Sequence, residues 1–408
     1  MLVAFGRNVR ATRLDTETGP RIYNRQIMHA FSGTFRFQHH IIDTTLPTAL
    51  YAQTVLADFD GDGRPEFVTG QQYGSIYLFK YERADRWKRF LLGTDSPSDV
   101  GAAVMDVDGD GKLDLVTGGA WYRNPGTLDS EWERVTFDPV LTSVHDVAVA
   151  DIDGDGKLEV LTMSDKNNLR WYKIPSDPSR PWICHHVGPA VHAGMSVGDV
   201  DGDGDLDLVR TDVWFENLRG DGTEWVEHFI GFNTPPPDDF QRPYAFYGTI
   251  SHVCDVNGNG RNDIVFADAE IPGGKIWWME NCDGSGRSWK RHDIFPGSQN
   301  PRRGAYHSLY AGDLDGDGDI DVFSCEMEGV PGDEPPRYYI WENVDGKGLE
   351  WREHVILDAN LGGHAAAVGD VTGNGLPDIV SKPWSPRSDN AVEGKRFVLF
   401  LENLGLRS

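Results

Sequence analysis

The stretch Ala311–Val322, AGDLDGDGDIDV, decides the fold. Asp313, Asp315, Asp317 and Asp321 take the first, third, fifth and ninth positions of a loop, with glycines interleaved. Oxygen ligands at alternate positions around turn glycines are how an EF-hand loop cages calcium. An EF-hand lies between amphipathic helices, whereas SLYAG and IDVFSC on either side here are short apolar runs of strand character. The loop therefore joins two strands.

Six further copies begin at Asp58, Asp106, Asp151, Asp199, Asp255 and Asp370, spaced 45 to 58 residues apart. After each loop comes a second apolar run (EFVTG, LDLVTGG, DLVRTD). A third, aromatic run usually ends in Asn, as in AWYRN at 120–124 and IWWMEN at 276–281. A fourth is opened by Trp87, Trp132, Trp182, Trp225, Trp289 or Trp351. Four strands in each of seven units predict an all-β fold, a seven-bladed β-propeller.

The chain ends agree. The seventh unit stops after its third strand, FVLFLEN at 397–403, while FRFQHHIID at 35–43 matches the fourth-strand segment WREHVILD at 351–358. The N-terminal strand is therefore expected to complete the last blade and close the ring, which removes an exposed sheet edge. Residues 35–408 form one propeller domain in this reading, and residues 1–34 an extension without repeat signal.

The net charge of −26 looks like a call for a basic partner. Twenty-four carboxylates stand at loop ligand positions, however, and without them the charge would be near −2. The acidity belongs to the loops. No basic stripe or recognition module suggests nucleic acid, and no run approaches transmembrane length. Cys184, Cys254, Cys282 and Cys325 show no metal-binding spacing and are expected as buried thiols. MLVAFGRNVRATRL lacks the apolar length of a signal peptide, yet weak calcium sites suit extracellular calcium. The expected compartment is extracellular or periplasmic if a leader was removed, and otherwise cytoplasmic.

Calcium, in a structural role, is the expected ion. Its candidate ligands are Asp58, Asp60, Asp62 and Glu66 in the first loop, and Asp106, Asp108, Asp110 and Asp114 in the second. The third offers Asp151, Asp153, Asp155 and Glu159, and the fourth Asp199, Asp201, Asp203 and Asp207. The fifth has Asp255, Asn257, Asn259 and Asp263, and the seventh Asp370, Asn374 and Asp378, with Thr372 standing where other loops have a carboxylate. Fewer charges in those two predict weaker binding.

The repeated DxDGDGxxD loop between the first two strands of a blade resembles the FG-GAP or VCBS repeat family over residues 35 to 408. That family includes integrin-type adhesion propellers, lectins, rhamnogalacturonan-type lyases and the propeller of aldos-2-ulose dehydratase. The dehydratase propeller is the nearest in pattern: in the sixth unit His307 stands six residues before the loop and an acidic, Pro-rich insertion, EMEGVPGDEPPR, follows at 326–337. These 408 residues contain no cupin-type stretch such as accompanies the dehydratase. The resemblance implies lyase or dehydratase chemistry on a sugar.

A site must be argued from residues. The metal loops mark one face of the disc, so residues that enter each first strand gather at the opposite mouth of the channel. His145, His307 and His364 stand six residues before a loop's first Asp, and His192 stands seven before. His40, His185, His228, His292 and His354 instead follow the aromatic of the outer strand and are expected at a solvent edge. Four converging imidazoles can move protons, bind a divalent metal ion or hydrogen-bond hydroxyls. The alternative is that each ring merely caps a loop carbonyl.

The same mouth is expected to receive Asp268, Glu270, Glu326, Glu328, Lys382, Trp384 and Arg387, and the entering connections add Arg242, Tyr244, Tyr247, Arg302 and Arg303. Arginines can clamp a carboxylate or keto group while the neighbouring carbon loses a proton, and Trp384 can stack on a sugar ring. The expectation is β-elimination on an acidic or oxidised carbohydrate, with His307 and Tyr306 as first candidates for the base and His364 or His145 as acid. No phosphate loop, GxSxG elbow or HExxH helix competes with it. The other reading is a calcium-stabilised propeller that binds carbohydrate or protein without chemistry.

Overall fold

The computed structural model describes residues 35–47, 50–51, 53–98, 100–164, 167–231, 248–269, 273–295, 303–328, 334–384, 392 and 395–406. Among them, 28 strands form seven four-stranded antiparallel sheets. Blade six shows the plan: Tyr306–Gly312, Asp321–Glu326, Arg337–Asn343 and Trp351–Asp358, paired in chain order. In blade seven the outer strand is Phe35–Asp43, which pairs with Val398–Leu406 through Phe37↔Asn403 and His40↔Phe400. The ring closes as the sequence predicts. The N-terminal extension, residues 1–34, lies outside the described residues.

The core lies between blades rather than at one centre. Val256, Val265 and Trp278 of blade five pack with Tyr306, Ala311, Val322 and Trp341 of blade six. Each such interface fills the space between twisted sheets and removes apolar area from water, at about 25 cal/mol per Å².

The recurrent Trp and Asn have a shared purpose. Trp278 of blade five and Trp351 of blade six both donate their indole N–H to the Gly348 carbonyl, each at 2.9 Å. The pattern recurs with Trp214 and Trp289 on Gly286, and with Trp171 and Trp225 on Gly222. Gly286 needs its freedom: φ is +65° and an added Cβ would stand 2.6 Å from the Trp214 ring. Asn343 accepts from Gly348 N and donates to the Val256 carbonyl in the previous blade's loop. Asn281 and Asn217 repeat this toward Val200 and Ile152. The strand-ending Asn is thus a rivet between neighbouring blades.

Two expectations are corrected. Cys184 and Cys282 are exposed, Cys254 is half-buried and only Cys325 is buried; all four are free thiols. Of the five outer histidines, two are not at a solvent edge, while His185, His228 and His292 are half-buried. His40 and His354 are buried, and their Nε2 atoms meet Glu402 at 3.0 Å and Glu342 at 2.6 Å. His228 and His292 meet Glu216 and Glu280 in the same way, and His292 also stacks on Trp278. The cause is sheet register: Ile340↔His354 and Glu342↔Arg352 are rungs of one ladder, so Glu342 and His354 are diagonal neighbours on one face.

Candidate functional site

Each inward-facing histidine stands at the entry to a first strand, where the chain turns from the blade edge toward the axis. His145 and His307 are the second residues of Val144–Ala150 and Tyr306–Gly312, and His364 directly precedes Ala365–Gly369. A register shift at each of the first two starts turns the imidazole out of the sheet alternation. All three are at least 94% buried, and His192 is half-buried.

These rings come together. The centroids of His145 and His192 are 4.9 Å apart, those of His145 and His307 5.4 Å, and His307 stacks on His364 at 3.7 Å. His145 belongs to blade three and His307 to blade six, so contact between them crosses the channel. Trp384 lies 5.7 Å beyond His364 and nearly parallel to it. His307 Nδ1 is 2.8 Å from the His364 carbonyl, a bond that requires the proton on Nδ1 and directs the Nε2 lone pair elsewhere.

Carboxylates flank the group. Asp146 Oδ2 is 3.4 Å from His145 Nδ1 and also accepts from Gly194 N. Glu328 is buried, with Oε1 3.9 Å from His364 Nδ1. Burial holds His364 well below the ordinary imidazole value, with help from His307, Lys382, His145 and His192. One potential ligand nitrogen from each of His145, His307 and His364 lies within 4.8 Å of the others. His145 Nε2 is buried without a hydrogen-bond partner among the described residues, while Nδ1 has the Asp146 carboxylate beside it. A buried imidazole with an unpartnered Nε2 inside a three-histidine set fits a nitrogen-preferring divalent ion such as zinc, not calcium. His307 has the carbonyl partner that ligating histidines ordinarily have.

The other sequence candidates divide. Lys382 is buried beside the imidazoles and donates to the Tyr51 carbonyl at 2.8 Å. Tyr306 is elsewhere: it packs among Phe295, Tyr339 and Trp341 between blades, where burial drives its phenol far above the ordinary value. A tyrosinate base is out of reach there. Arg303 is gripped by Glu326 at 2.8 Å, Tyr339 Oη and the Pro335 carbonyl, and Glu326 also accepts from Gly304 N and Arg337 N. Asp268 accepts from Lys275 N within its hairpin. These three hold loops. Arg242, Tyr244, Tyr247, Glu270, Arg302 and Arg387 lie outside the described residues.

On the opposite face the loops repeat one geometry. The first Asp of each gathers loop amides, as when Asp106 accepts from Gly109, Asp110 and Gly111. The ninth carboxylate is buried and accepts from the N–H of position two: Phe59 to Glu66, Val107 to Asp114, Leu314 to Asp321. Where it is Asp, its second oxygen accepts from the strand-ending Asn, such as Asn124 or Asn343. Burial raises Asp114 and Asp378 to about 6, and Glu159, Asp207, Asp263 and Asp321 to about 7. Carboxylate oxygens of Asp58, Asp60 and Asp62, and of Asp199, Asp201 and Asp203, converge closely enough to share a cation. This hard oxygen set fits calcium.

A ring of four-stranded blades, each with an aspartate loop between its first two strands, defines a propeller of the FG-GAP type. Residues 58–117, 151–209, 255–324 and 313–381 match the FG-GAP-like repeat, and the chain belongs to that family. No curated protein matched the sequence. Among solved structures, a chain in the crystal structure of BBS1N in complex with ARL6DN, soaked with mercury, is similar with a TM-score of 0.52 at 10% identity, over 88% of this chain and 94% of that one. The lead-soaked form gives 0.53 at 12% identity, over 90% and 97%. At such identity the likeness concerns the fold.

Proposed function

We propose that this propeller is a carbon–oxygen lyase that performs β-elimination on an acidic or keto sugar at the histidine cluster. The observation that carries the reading is the meeting of His145, His307 and His364 from three blades, buried, with His145 Nε2 orphaned. Three imidazoles taken from water are costly to fold without a ligand. Those three would hold a divalent transition-metal ion, which when bound supplies Lewis-acid stabilisation of negative charge on a substrate oxygen.

The chain's own residues do the rest. His192, half-buried and 4.9 Å from His145, is placed to take the proton from the carbon beside the carbonyl or carboxylate. The electron pair of that C–H bond becomes the new C=C bond as the β C–O bond breaks. The same imidazole then delivers its proton to the departing oxygen, which leaves as water or as a sugar hydroxyl. Trp384, beside His364, offers a flat apolar wall for the ring, and burial excludes competing water.

A second reading, a carbohydrate- or protein-binding propeller without chemistry, draws on the repeated His–Glu pairs of blades four to seven. One experiment separates the two. Zinc-loaded protein is incubated with uronate-containing oligosaccharides and with 2-keto sugars, and unsaturated product is followed. His192→Ala should lose turnover and keep zinc, whereas His307→Ala should lose both. Absence of product from either substrate class would leave the binding reading.

A further inference from the structure

The seven aspartate loops are not equivalent, and the difference lies on the third strand, not in the loop. One rung beyond the pairs Phe67↔Phe79 and Val160↔Tyr172, Lys80 faces Glu66 and Lys173 faces Glu159. The same position in blades four to seven, one rung beyond Leu208↔Phe215, Ile264↔Met279, Val322↔Trp341 and Ile379↔Leu401, holds Glu216, Glu280, Glu342 and Glu402. Blade two has Arg123 there, in contact with Asp108. Lysine faces the loop only where the ninth residue is Glu.

The geometry follows from side-chain length. Glu66 is one methylene longer than Asp, so while one oxygen accepts from Phe59 N the other reaches Lys80 Nζ at 2.9 Å. The same ammonium lies 2.6 Å from Asp60 and 2.7 Å from Asp62. It therefore touches carboxylates at the third, fifth and ninth positions together. In blade three Lys173 contacts Asp153, and Asp155 at 2.9 Å.

We infer that Lys80 and Lys173 are resident counter-ions, and that the loops of blades one and three are held together by an internal ammonium instead of a divalent cation. The oxygen set there suits calcium, but its centre is taken by a cation that the chain supplies. A tethered ammonium has no translational entropy to lose and is present at every calcium concentration. Divalent ions are then left to loops opposed by glutamate, of which the fourth and sixth keep all their aspartates. The ring would have a calcium-independent arc beside a calcium-dependent one.

The test counts ions. Calcium bound per chain is measured by equilibrium dialysis for the wild type, for Lys80→Met with Lys173→Met, and for Glu66→Asp with Lys80→Glu, which gives blade one the blade-four pattern. The first variant should bind two more ions than the wild type and the second one more. Each should also show a larger rise in melting temperature on calcium addition. A variant that folds only with calcium supports the inference equally. Unchanged stoichiometry in the double-Met variant overturns it. So does calcium density in the first or third loop of wild-type crystals soaked in calcium, a result that needs no variant to fold.

Discussion

His307 keeps its Nδ1 2.8 Å from the main-chain oxygen of His364, so the imidazole of blade six is oriented by the backbone of blade seven. The bond runs between blades, and the site is therefore assembled only when the ring is. It also sets the tautomer that leaves Nε2 as the basic nitrogen.

Replacement of His307 by Ala should abolish zinc binding at the cluster along with lyase turnover, for a stability cost of about 1–2 kcal/mol. Zinc titration calorimetry and urea denaturation together check this. Full zinc affinity in the variant would remove His307 from the ligand set.

Arg303 should behave as a structural residue. Its partner Glu326 is buried and burial already raises that carboxyl, so Arg303→Ala should cost toward the lower end of the about 3–5 kcal/mol typical of a broken buried pair. A variant with native unfolding behaviour but a raised KM would instead return Arg303 to the substrate.

Asn343→Ala should loosen blade six from blade five. It strands the Val256 carbonyl and the Gly348 N–H, and about 1–3 kcal/mol should be lost in urea denaturation. Ser130, exposed between the third and fourth strands of blade two, offers the comparison for Ser130→Ala, expected within about 0.5 kcal/mol of wild type.

Acid should weaken the closing strand. Burial outweighs the opposing Glu402 carboxylate and holds His40 below its ordinary value of 6.5. The unfolded chain therefore takes up this proton more readily than the folded one. The contribution is fully present above about pH 6.5 and is lost as pH falls below it, at up to about 1.4 kcal/mol per pH unit. His40→Gln should flatten the melting-temperature profile between pH 7 and 5; an equally steep profile would place the effect elsewhere.

Chelation should lower the melting temperature of the wild type, because ligands that bind only the folded state stabilise it by mass action. A chelated sample that melts with the untreated one would show that none of the loops depends on a divalent ion.

The fold was legible because DxDGDGxxD marks one turn of the blade unmistakably and its copies count the blades. The inward histidines were legible for the same reason, since six residues before that marker is a fixed place in a first strand. What the sequence hid depends on pairing across strands. Glu342 and His354 are twelve residues apart and meet only through register, as do Glu66 and Lys80. Tyr306 adjoins His307 in the chain but faces the blade interior, because the register shift between Tyr306 and Ser308 turns His307 out of the strand's alternation. Arg303 reads as a substrate clamp in the sequence, whereas in the fold Glu326 closes on it.

The pairing of Phe37 with Asn403 joins the first described strand to the last, so translation makes every blade between them before the two can meet. Throughout translation the first strand must wait with its hydrogen-bonding groups unmet, and six finished blades stand as an open arc with two sticky rims. Closure of the ring is thus gated by the synthesis of Val398–Leu406. Loss of Val398–Leu406 would not merely shorten the protein: it would leave a molecule prone to borrow its missing strand from a neighbour.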